Sequence, residues 1–155
     1  MTAAEPKSGL LKSAVFGSAD GLNAGLAVVF GQPHLLLAFA LLISVEGALS
    51  MAAGEFVSAL TDNERSFKQE WPVTVVMGLF VFAGTVAPML PPLLGGVSSL
   101  TRLLAVAVGL LLALVVGYVG ARDARVPWHS YAISLGSFAV VIVPTVLIAL
   151  ALGIG

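Results

Sequence analysis

Long apolar runs separated by short polar breaks set the layout of this chain. The runs extend from about Ser13 to Gly31, Leu35 to Leu60, Pro72 to Leu90, Leu100 to Ala121, and Trp128 to the end, with Pro144 inside the last. Each is close to the roughly 20 residues an α-helix needs to cross the hydrocarbon of a bilayer. The breaks are a Gln32-Pro33-His34 turn, the charged stretch Thr61 to Trp71, the Pro91-Pro92 pair with Gly95, Gly96, Ser98 and Ser99 behind it, and Gly120 to Arg125. Pro72 suits the first turn of a helix, and the proline pair suits the end of one. The pattern therefore predicts an all-α integral membrane bundle of five transmembrane helices, a single domain over residues 1–155 with no soluble part. Residues 1–12, polar and carrying Pro6 and Gly9, are expected to be a tail or an interfacial lead-in to the first helix.

Composition agrees with the pattern. Of 155 residues, 59% are hydrophobic and 10% charged, with mean hydropathy +1.06, far from the average soluble domain. A net charge of -1 gives no reason to expect a nucleic-acid partner, and the absence of cysteine removes disulfides, thiolate metal sites and thiol catalysis together. Basic residues near span ends set orientation. Lys7, Lys12, Arg65, Lys68, Arg122 and Arg125 fall on one side and Arg102 on the other, so the N-terminus is expected in the cytoplasm and the C-terminus outside. Trp71 and Trp128 stand where spans re-enter from the cytoplasmic side, as interfacial anchors do.

The polar positions inside the runs carry the candidate chemistry. In the second run Ser44, Gly47, Met51, Gly54, Glu55 and Ser58 recur at helical spacing as one narrow stripe, with Met51 and Glu55 one turn apart. In the first run Ser13, Gly17, Asp20, Asn23, Ala24, Ala27 and Gly31 do the same. Ionisable residues within a span are expensive and point to function, whereas small residues alone point to close helix packing. At 1.5 Å per residue, counting from Lys12 and from Leu60, Asp20 lies roughly 12 Å deep, Met51 roughly 14 Å and Glu55 roughly 8 Å. Asp20 and Met51 are thus expected nearly level, with Glu55 nearer the cytosol. Carboxylate oxygens with a thioether suit a divalent first-row transition metal better than magnesium or calcium. Carboxylates in low dielectric also hold protons more readily and can exchange them for a metal. One chain offers few such ligands, which favours a site shared across a symmetric dimer.

Other residues read more plainly. Asn23, one turn from Asp20, is a candidate proton relay or second site; the plainer alternative is that Asp20 and Asn23 hydrogen-bond a neighbouring helix. Glu46 is nine residues from Glu55 and faces the other way on a straight helix; it reads equally as a second relay site or as a protonated packing carboxyl. Ser130, Ser134 and Ser137 read as packing glue, Met77 and Met89 as packing residues, His34 and His129 as solvated ends, and Asp62, Glu64 and Glu70 as a solvated loop. No nucleophile, base and orienting group form an enzyme-like constellation.

These residues also carry a resemblance. VFGSADGLNAGLAVVFG at residues 15–31 and GALSMAAGEFVSAL at 47–60 resemble the two signature stretches of the vacuolar iron transporter family, and GTVAPMLPPLL at 84–94 resembles its proline-containing third span. The resemblance implies export of iron(II) or manganese(II) from the cytosol by a proton-coupled homodimer whose pathway runs between the first helices. It implies that Asp20 matches the family's Asp-Gly aspartate, Met51 its Ser-Met methionine and Glu55 its Gly-Glu glutamate, with no resident cofactor because the metal is cargo. Three departures stand out. Only Thr61 to Trp71 occupies the place where longer members insert a glutamate-rich metal-binding domain, Asn23 replaces a usually apolar residue, and Glu46 a usually small one. The expected location is a cell (inner) membrane in a prokaryote or a vacuole-type membrane in a eukaryote. A rival reading from another class is a non-transporting membrane subunit that assembles through its Gly-rich helix faces.

The orientation is testable because the chain lacks cysteine. A cysteine replacing Ser66 should resist impermeant thiol reagents added outside, and one replacing Ser98 should label. Reversed labelling overturns the orientation and the export direction with it.

Overall fold

The computed structural model describes residues 5–31, 36–61 and 67–124, together with the isolated positions Val143 and Leu147. Within them lie four helices: α1 (Glu5–Gly31), α2 (Leu36–Thr61), α3 (Phe67–Gly95) and α4 (Ser99–Ala124). Each contains a stretch of at least 21 residues long and apolar enough to cross a membrane. This is the architecture of a multi-pass membrane protein, all-helical among the described residues. The fifth run, 128–154, lies outside the described residues apart from Val143 and Leu147, both of which are exposed.

The observed helices are longer than the apolar runs at three ends. α1 is already helical at Glu5, and α3 starts at Phe67, so Pro72 stands in its second turn instead of its first. α3 also runs through Pro91 and Pro92 to Gly95. A proline pair near a C-terminus removes N–H donors from the last turns only, and a membrane helix tolerates that loss. What stops α3 is Gly96, which adopts φ +73°, the left-handed conformation that closes many helices. Ser98 then caps α4: the Thr101 amide donates to Ser98 Oγ at 3.2 Å, and the Ser98 amide donates to Thr101 Oγ1 at 2.9 Å, a reciprocal box with threonine in the usual glutamate place.

α1 and α3 form the centre. α2 and α4 each pack on both of them and not on each other among the described residues. Glycines let the central pair approach to backbone distance. A Cβ on Gly17 would lie 2.7 Å from the Met77 carbonyl oxygen, on Gly21 2.1 Å from that of Val81, and on Gly25 2.3 Å from that of Thr85. From the other side, a Cβ on Gly84 would lie 2.7 Å from the Ser18 carbonyl oxygen. Contacts move up both helices together, so α1 and α3 are parallel. α2 runs the opposite way: Gly47 faces Val81, Gly78 faces Ala48 and Ala52, and the Phe56 ring meets Trp71 edge to face at 6.4 Å. α4 also runs against α1, with Gly109 under Leu22 and Leu26. One apolar core joins Val28, Val29, Ala40, Met89 and Ala105, and a second joins Leu22, Leu26 and Ala113.

The outer surface is apolar, as a lipid-facing surface must be. Leu42, Leu49, Leu103 and Leu111 are each more than 60% exposed, an arrangement that would aggregate in water and is at ease in hydrocarbon.

The glycine row makes a direct prediction. Gly21→Ala places a methyl group inside the van der Waals envelope of a backbone oxygen, so α1 must shift, at an overpacking cost of about 1–3 kcal/mol. Gly54→Ala meets nothing within 4 Å and should be neutral or slightly stabilising. Thermal unfolding in detergent should show a lowered midpoint for the first and none for the second; equal midpoints would refute this packing.

Candidate functional site

The glycine contacts fix the depth of each candidate. Gly21 lies against Val81 and Thr85, and Gly47 lies against Val81. Asp20 is therefore abreast of Glu46 and Gly47, whereas Met51 sits one turn nearer the end of the bundle where α1 and α3 begin. This differs from the expectation that Asp20 and Met51 are level. The reason is that Lys12 and Leu60, from which depth is counted, do not lie at one level: α1 is already helical at Glu5, so the charged residue before its apolar run is a poor marker of where the bundle starts.

Asp20 is exposed on α1. Gly17, Gly21 and Gly25 turn one side of that helix onto α3, and Leu22 and Leu26 turn another toward α4. Asp20, Ala24 and Ala27 are left on the remaining side, with Asp20 and Ala27 exposed and Ala24 half-buried. Asn23, one turn from Asp20, is half-buried, and its Oδ1 is buried without a hydrogen-bond partner. Leaving such an acceptor unmatched costs about 1–3 kcal/mol. Only the Asp20 carboxylate is therefore on the open side of α1, where it is a poor lipid-facing group and a candidate cation ligand; the Asn23 Oδ1 lies inside the subunit.

Met51 and Glu55 are both half-buried on α2, on the face that also carries buried Ser44 and Gly47. The bundle brings these two together, one turn apart, and keeps Asp20 at a different depth. Glu46 is exposed on the far side of α2, as the helical spacing required. Among the described residues no three His, Cys, Asp or Glu side chains come together. One subunit therefore offers an Asp20–Asn23 pair and a Met51–Glu55 pair, each incomplete as a metal cage.

Gly17, expected in a stripe open to a second subunit, is instead consumed by α3 of its own chain. Small residues permit close approach, but their spacing does not say to which helix. Glu70, expected in a solvated loop, is fully buried in the first turn of α3. It was hidden by its neighbours, since the charged break from Thr61 gives no sign of where the helix starts. Asp62, Glu64, His34, His129, Ser130, Ser134 and Ser137 lie outside the described residues.

A cavity of about 280 Å³ lies between α1, α3 and α4, lined by residues that include Ser18, Leu22, Phe80, Gly84 and Leu112. None of the described residues that line it is ionisable, so it suits an acyl chain better than an ion. No known protein family, no characterised protein and no solved structure matches the chain.

The free side of α1 is open to a crosslinking test. A cysteine replacing Ala27, exposed beside Asp20, should form a disulfide between two chains in the membrane. A cysteine replacing Ala113, buried against Leu22 and Leu26, should not. A monomer-sized particle with no crosslink at either position would refute a dimer on this face.

Proposed function

We propose that the protein exports a divalent transition metal, iron(II) or manganese(II), from the cytosol in exchange for protons, as a homodimer that meets along α1. The observation that supports this most is the Asp20–Asn23 pair: an exposed carboxylate on the side of a membrane-length helix that its own bundle leaves open, with an unmatched carbonyl oxygen buried one turn away. Facing lipid, that pair is costly. Facing its symmetry copy, it supplies two carboxylates around one axis, hard donors for a divalent cation.

On this reading the chain has five spans, with residues 128–154 as the last, the N-terminus in the cytosol and the C-terminus outside. Cargo arrives from the end where α1 begins. It meets Glu55 and Met51 first, whose carboxylate and thioether select a borderline cation over calcium, and then Asp20 deeper in. Exchange against protons then carries the metal out at the far side. The resemblance of residues 15–31 and 47–60 to the vacuolar iron transporter signatures supports the same cargo and the same residues. In a cell (inner) or vacuole-type membrane the outcome is removal of metal from the cytosol.

Proteoliposomes with a fixed pH gradient test this. Wild-type protein should move manganese(II) in a gradient-dependent way, Asp20→Asn should lose nearly all transport while still inserting and dimerising, and Glu46→Gln should keep at least part of it. Equal rates for Asp20→Asn and wild type would sink the proposed pathway. Full loss in Glu46→Gln alone would move the ion route to the opposite face of α2.

A further inference from the structure

The α3 helix carries a row of polar and soft side chains that the pathway above does not use. Glu70, Thr74 and Met77 fall at spacings of four and three, hence on one face. Their exposures are 0%, 7% and 4%. A fully buried carboxylate in a membrane helix needs an account, because polar groups there are retained for partners or for function. Glu70 has a partner within the chain; the Thr74 hydroxyl has none.

Serine and threonine in a membrane helix ordinarily satisfy their hydroxyl by donating to the carbonyl one turn back. Ser18 donates to Ala14 at 2.8 Å, Thr61 to Val57 at 2.8 Å, Thr85 to Val81 at 2.8 Å, and Ser44 to Ala40. Thr74 does not: its Oγ1 is buried and has no hydrogen-bond partner. The hydroxyl has forgone an acceptor on its own helix and is left in the interior one turn from the Glu70 carboxylate.

The register shows what else shares this depth. Gly17 lies against Met77, so Ser13, one turn earlier on α1 and 2% exposed, comes abreast of Thr74. On α2, Ala52 lies against Gly78 and Phe56 against Trp71, so Glu55 falls at the same level. On the helical wheel of α3, Thr74 lies between Gly78, which faces α2, and Met77, which faces α1. The region thus gathers two carboxylates, two hydroxyls and a thioether where three helices converge, all within one subunit.

We infer that Glu70, Thr74 and Met77, with Ser13 and Glu55 opposite, form a divalent-cation site inside each subunit, distinct from Asp20 and nearer the end where α1 begins. Oxygen donors from Glu70, Glu55 and the hydroxyls hold the charge, and the Met77 thioether biases the site toward transition metals. The unmatched Thr74 hydroxyl becomes a ligand when the ion arrives, which accounts for its burial without a protein partner. The inference rests on the transport reading only in taking the ion as cargo on its way to Asp20; binding itself does not depend on that reading.

The test uses the full chain in detergent, with manganese(II) binding read from loss of the free-ion electron paramagnetic resonance signal. All chains carry Asp20→Asn so that the deeper site is silent. This background should bind one manganese(II) per chain. Adding Glu70→Gln should weaken binding at least tenfold, and Thr74→Val, which removes the hydroxyl at nearly constant volume, about threefold or more. If Glu70→Gln does not purify as a single species, Thr74→Val decides alone. No binding in the Asp20→Asn background, or unchanged affinity on adding Thr74→Val, overturns the site. If binding follows the expected order while wild-type proteoliposomes move no metal, the transport reading fails and the site stands. If transport proceeds but these α3 substitutions leave affinity unchanged, the reverse holds.

Discussion

Backbone contact between α1 and α3 is the constraint from which the remaining arrangement follows. Gly17, Gly21 and Gly25 present no side chain, so the carbonyl oxygens of Met77, Val81 and Thr85 come within reach of the α1 backbone itself. In a bilayer, where lipid is as apolar as leucine, such close approach is a main source of helix association. Once α1 lies flat on α3, the rest of its circumference is assigned. Leu22 and Leu26 must meet α4, and Asp20 and Ala27 must face away from both. The position of the carboxylate is thus a consequence of where the glycines are.

Parallel central helices also explain why polar groups gather at one end. α1 and α3 both begin there and α2 ends there, so Ser13, Glu55, Glu70 and Thr74 come to one depth although they are spread over three segments of sequence. At the other end the same geometry assembles Val28, Val29, Ala40, Met89 and Ala105 into an apolar core. Among the described residues the interior is thus polar near the end where α1 begins and holds an apolar core nearer the other, where Thr101 and the Arg102 Nε are buried as well.

Hydropathy alone placed the four described spans, because length and apolar composition suffice for that. α2 was expected at 35–60 and is found at Leu36–Thr61; α4 was expected at 100–121 and is found at Ser99–Ala124. The ends of α3 were misjudged at both sides, since the helix begins within the charged break and continues through prolines in its final turns, while Gly96, an ordinary loop glycine on paper, does the stopping. The opposition of Glu46 to Glu55 followed from helical spacing and needed no structure. Depth did not: it depends on which residues of two helices touch, and the Gly21 and Gly47 contacts that set it were not legible. The same holds for Glu70 and Thr74, whose burial depends on how α1 and α2 pack on α3.

The central claim is that Asp20 works as one half of a site completed by a second chain. Mixing wild-type and Asp20→Asn chains in known proportions before assembly and reconstitution measures this directly. If both carboxylates are needed, manganese(II) transport falls as the square of the wild-type fraction, so an equal mixture gives about a quarter of the full rate. A rate that falls in simple proportion, about half at equal mixing, means that each subunit carries metal alone and contradicts the account.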